Sequence, residues 1–135
     1  REHIDIFTES YTPKIWITNQ DVVTNVFYQH NYQKVRVDNL DFWDQVTIIN
    51  RAKNIITFIG ANCENIAFTN NDAKFSIIYA SNQSWWANVY NYSNSLHRIQ
   101  CSNRDNSVVY NPSWGERDSL NGPYLVNIDI LKQLI

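Results

Sequence analysis

The side chains with chemistry to offer are three histidines, a pair of aspartates around a tryptophan and a dense set of aromatic rings. His3, His30 and His97 fall in unrelated segments, with no i,i+4 pair and no cysteine at ligand spacing, so they read as structural or surface residues rather than metal ligands or bases. Asp41 and Asp44 flank Trp43; paired carboxylates can share acid and base work, but a solvated turn accounts for them more simply. With 3 glycines there is no GxGxxG or phosphate-cradling loop, and no Gly-x-Ser-x-Gly elbow. The expectation is therefore a non-enzymatic chain with no metal and no cofactor.

The aromatic residues are the stronger signal: 5 Trp, 8 Tyr and 6 Phe. The stretch Lys74 to Tyr92 opens as a strand, with Phe75, Ile77 and Tyr79 on one face and Ser76 and Ile78 on the other. The polar run Ala80 to Ser84 breaks it, and Trp85 and Trp86 then lead into a second aromatic strand through Val89, Tyr90 and Tyr92. Neighbours in a strand point to opposite faces, so a tandem Trp pair buries one ring in a given core and leaves the other to a second core, a partner or a ligand. Trp43 and Trp114 also sit beside turn residues. Such rings suit sugar stacking or a membrane interface; a second hydrophobic cluster beneath a loop is the alternative.

At 135 residues the chain is one domain with room for a proper core. It is 18% charged with net charge −2, which argues against nucleic acid and against bulk attraction to anionic membrane. Its polarity is mostly amide and hydroxyl, fitting an uncharged or zwitterionic ligand. No apolar run approaches the ~20 residues of a membrane span. The opening REHIDIFTES lacks a leader's layout. Cys63 and Cys101 are compatible with two thiols or one disulfide.

Along the chain, residues 3–18 read as a hairpin, with Ile4 and Ile6 answered by Lys14 to Thr18. Asn19 to Asn31 fits either a helix behind Asp21 or a bent strand. Strands are predicted at Lys34–Asp38, Val46–Ile49, Asn54–Ile59, Ile66–Thr69, Val108–Tyr110 and Tyr124–Leu131, with a helical turn near Asp41 and a short helix carrying Leu96 and Ile99. About ten short strands at hairpin spacing predict an all-β fold, a two-sheet antiparallel β-sandwich with at most two short helices.

Phe75-Ser76, Tyr79 and Ser84-Trp85-Trp86 resemble the centre of the actinoporins. Asn82, Trp86 and Asn88-Val89 are similar to the matching loop of the fungal fruit-body lectins. Weaker agreement extends to His3–Trp16 and Asn121–Ile130, and Asn106–Lys132 faintly resembles the aegerolysins. The resemblance implies a β-sandwich, with Ser76 and Tyr79 near a phosphocholine-headgroup pocket or Asn82, Asn88 and Asn91 near a sugar site. With Trp85, Trp86, Tyr90 and Trp114 these make the expected ligand-binding set. Actinoporins insert an amphipathic N-terminal helix that has no counterpart here, and their tyrosine cluster is missing from Leu96–Ser107. The expected function is thus secreted, lectin-like recognition of a cell-surface glycan or phospholipid headgroup, with a homo-oligomer allowed. A pore-forming cytolysin and a protein-interaction module are the alternatives.

Overall fold

The computed structural model describes residues 4–8, 17–58, 61–80, 87–90, 96–104 and 123–135. It holds a single curled sheet with helices, not two antiparallel sheets: helix makes up 44% and strand 38% of the described residues. The strands are β1 (Ile4–Thr8), β2 (Gln33–Val35), β3 (Ala52–Phe58), β4 (Lys74–Ala80), β5 (Leu96–Arg104) and β6 (Tyr124–Val126). Their order across the sheet is β2-β1-β3-β4-β5-β6. Every pairing is parallel except β5 with β6.

Parallel neighbours need crossovers, and the crossovers supply the layers. α1 (Gln20–Gln29) joins β1 to β2, and α2 (Phe42–Arg51) joins β2 to β3. Moving first outward from β1 and then back past it, right-handed crossovers must lie on opposite faces. The two cores bear this out. Val23, Val26 and Phe27 of α1 pack on Phe7, Ile56 and Ile78, joined by Leu131 of α3 (Ile128–Leu134). Ile49 of α2 packs on Ile6, Ile55, Phe75 and Ile77, together with Cys63 and Ile66 of the 3-10 helix Ala61–Phe68 and Tyr90 of the 3-10 turn Asn88–Tyr90.

The sandwich expectation fails for reasons visible in single elements. The hairpin over residues 3–18 is excluded because both flanks of β1 are taken, by β2 and β3. Ile17 instead bridges Tyr124 across the sheet, and the Asn19 amide clamps Val126 through both its N–H and its carbonyl at 3.1 and 2.9 Å. Val46–Ile49, predicted as a strand, is the second half of α2. Asp41 caps that helix, its carboxylate accepting from the Asp44 N–H at 2.9 Å. The less exposed side chains Gln45, Val46, Ile48 and Ile49 then follow helical spacing. Ile66–Thr69 is 3-10 helix running into a bend, and the predicted helix near Leu96 is strand β5. The last strand stops at Val126, where the Asn127 side chain caps α3 through the Ile130 N–H.

α1 ends in a fully formed Schellman motif. Asn31 adopts φ 62, a left-handed conformation that asparagine tolerates. The Tyr32 N–H returns to Phe27 O at 3.0 Å and the Asn31 N–H to Tyr28 O at 3.2 Å. The Tyr32 and Phe27 rings meet at 5.5 Å, which turns the chain sharply into β2. No helix among the described residues is long and apolar enough to cross a membrane.

Candidate functional site

In an open parallel sheet the chain diverges where two consecutive crossovers leave on opposite faces, and the crevice outside the carboxyl ends of those strands is where ligands bind. Here that point lies between β1 and β3, since β2 was laid down on the far side of β1. Close to their carboxyl ends the two strands carry a hydroxyl pair, Thr8 last in β1 and Thr57 next to last in β3. Thr8 and Thr57 are in register, 1% and 0% exposed. Thr8 Oγ1 donates to Thr57 Oγ1 at 2.6 Å, and Thr57 Oγ1 donates to Phe58 O at 3.3 Å. A β-branched hydroxyl fits a strand, and here the two satisfy one another inside the sheet, beneath the crevice and not facing into it.

The neighbouring elements bring polar groups to the rim of that crevice. Half-buried Arg36 follows directly on Val35, the partner of Thr8 in β2. Half-buried Tyr79 is the next-to-last residue of β4 and packs on the α2-side core. Past β3, the 3-10 helix presents the exposed side chain of Glu64, whose Oε1 accepts from the Tyr90 hydroxyl at 3.2 Å. Tyr90 is 3% exposed, so a buried ring fixes an exposed carboxylate. Behind Glu64, the Gln45 amide donates to the buried Asn65 Oδ1 at 2.5 Å, tying α2 to the same 3-10 helix. Cys63 Sγ, fully buried, lies 3.6 Å from Phe58 O.

The predicted ligand residues divide. Tyr90 is part of the α2-side core and Tyr79 packs against it. Asn88 is exposed on the adjoining 3-10 turn and accepts from the Arg98 guanidinium. Ser76 lies apart, buried in mid-sheet between Ile56 and His97. Asn82, Trp85, Trp86, Asn91 and Trp114 lie outside the described residues; the first three belong to the segment that follows the carboxyl end of β4. Thr8, Thr57, Arg36 and Glu64 were missed by the sequence reading. For Thr57 the signal was the unbroken run Ile55-Ile56-Thr57-Phe58-Ile59 before Gly60, since a strand without alternation is buried on both faces and belongs to a parallel sheet.

The groups with displaced titration lie elsewhere. Burial, reinforced by the Asp5 carboxylate, pushes the Tyr32 phenol up to about 12. Burial alone pushes the Cys101 thiol up to about 12, which removes it as a nucleophile at neutral pH. His97 is lowered, by desolvation first and the Lys74 ammonium second. Cys63 and Cys101 lie in the cores on opposite faces of the sheet and form no disulfide with one another, so both are thiols. Among the described residues, no group of three His, Cys, Asp or Glu side chains is placed to hold a metal. No protein-family model and no curated protein matches this chain.

Proposed function

We propose that this chain is a ligand-binding α/β domain, with its site beyond the carboxyl ends of β1 and β3 and a small molecule of nucleotide type as its ligand. The observation that carries the proposal is the switch point itself, with the Thr8–Thr57 hydroxyl pair beneath it. The ligand class is drawn by analogy with the architecture, because doubly wound sheets of order 2-1-3-4-5 bind phosphate-bearing cofactors at this point. Two rim residues support it. The Glu64 carboxylate, held by Tyr90, is an acceptor suited to the paired hydroxyls of a ribose. The Arg36 guanidinium is a donor suited to phosphate. The proposal is one of binding, and assigns no bond-making step.

The test is thermal unfolding and calorimetric titration with AMP, GMP, CMP, UMP and their diphosphates, beside neutral oligosaccharides as the competing class. A ligand present at about ten times its Kd stabilises the fold by about 1.4 kcal/mol, a rise of several degrees in Tm. The expected result is such a rise with at least one nucleotide. Glu64→Gln, which keeps an acceptor for Tyr90, should weaken that binding about tenfold with an unchanged melting temperature. A rise with oligosaccharides alone, or equal binding by Glu64→Gln, would overturn the assignment.

A further inference from the structure

We infer that the outward face of α2 is a self-association surface, on which a second copy of this chain packs antiparallel about a two-fold axis beside Thr47. α2 buries Ile49 and half-buries Gln45, Val46 and Ile48 toward the sheet, so its solvent face carries Trp43, Asp44, Thr47, Asn50 and Arg51. Trp43 is 74% and Phe42 56% exposed. Their rings meet edge to face at 5.3 Å, and Phe42 in turn meets the half-buried Phe68 edge to face at 5.6 Å. The exposed indole thus stands on an aromatic footing continuous with the core, a contiguous patch and not one stray apolar residue.

The charge order along the helix selects the occupant. Asp41 and Asp44 lie at its start, Arg51 at its end and the small Thr47 between. Two such helices laid antiparallel about Thr47 bring Trp43 of each copy level with Arg51 of the other, since both lie four residues from the centre, and within reach of its long side chain. The same arrangement brings Asp44 beside the other copy's Arg51. This gives two cation–π contacts and two charge pairs by symmetry, with the helix dipoles opposed. A parallel pairing would stack acid on acid. Thr47 is small enough for helix axes to approach within ~8–10 Å. Trp and Arg are also the side chains that most often anchor interfaces. The exposed aromatic area is only part of the ~800 Å² per partner of a standard interface, so the association is weak and concentration-dependent.

Sedimentation equilibrium of the full chain from about 1 μM to about 500 μM tests this. The wild type should pass from monomer to dimer within that range. Trp43→Ser should weaken association at least tenfold, and Asp44→Arg should weaken it too. Adding Arg51→Asp to Asp44→Arg should restore it toward wild type, because the two side chains are two turns apart in one helix and can meet only between copies. Melting temperatures taken alongside confirm that each variant is folded. A wild type that stays monomeric, a dimer indifferent to Trp43→Ser, or a charge swap no better than Asp44→Arg alone would overturn the inference.

Discussion

Replacing Thr8 and Thr57 by valine, singly and together, measures what the hydroxyl pair does for the fold. Valine keeps the β-branched shape, so packing in the two strands is nearly preserved. Thr57→Val removes the acceptor of the 2.6 Å bond from Thr8 and also the donor to Phe58 O. The Thr8 hydroxyl, on a residue 1% exposed, is then left in a dry site, at a cost of about 1–3 kcal/mol. Thr8→Val is milder, because the Thr57 hydroxyl keeps its bond to Phe58 O; about 0.5–1.5 kcal/mol is expected. The double variant removes both ends of the bond and should be more stable than the sum of the singles predicts, by roughly 1–2 kcal/mol. Urea unfolding with unchanged slope measures all three. Strictly additive losses would refute the claim that the two hydroxyls satisfy one another. Because both hydroxyls are buried and paired with one another, the double variant should stay folded and keep the shape of the crevice above them.

Tyr32 titrates near 12 in the fold and near 10 when unfolded, so the unfolded chain releases its proton first. The stability this represents is fully present below about pH 10 and is lost through about pH 12; Tyr32→Phe should flatten that segment of the unfolding profile. Asp41→Ala removes the cap on Asp44 N and should destabilise the chain by about 1 kcal/mol in chemical unfolding, while Asp41→Asn costs much less. Cys63 and Cys101, buried on opposite faces, should both react with a thiol reagent only on unfolding, and a reductant should leave the melting temperature unchanged.

Much of the sheet was legible, while its connectivity was not. The alternation of Phe75, Ile77 and Tyr79 against Ser76 and Ile78 is real, since the first three join the α2-side core and Ile78 joins the other. What misled was reading short apolar runs at hairpin spacing as antiparallel strands of a sandwich, when helices on both faces of one parallel sheet also produce short, doubly buried strands. In α2 the β-branched run Val46-Thr47-Ile48-Ile49 has strand-like propensity, and the Asp41 cap together with packing on the sheet overrides it. β5 was obscured in the opposite sense. His97, Arg98 and Gln100 are exposed within it, so Leu96 and Ile99 suggested helical spacing where the element is a strand only partly covered by helix.

The tandem tryptophans show how a sound local rule depends on its context. Opposite facing of Trp85 and Trp86 requires a strand through them, yet β4 ends at Ala80 and the chain is 3-10 helical at Asn88–Tyr90. Trp85 and Trp86 themselves lie outside the described residues; what the structure corrects is the second strand expected through Val89 and Tyr90, which is 3-10 helix. Connectivity gives the pair a different significance. It belongs to the segment leaving the carboxyl end of β4, the neighbour of β3, and segments leaving that edge of an open α/β sheet are the ones that meet ligands. A binding role for the pair thus rests on the edge from which its segment departs, and its test is the nucleotide titration repeated with Trp85→Ala and Trp86→Ala. Loss of binding in either variant, with melting unchanged, would tie the pair to the rim that carries Glu64. Unchanged binding in both would confine the site to the rim.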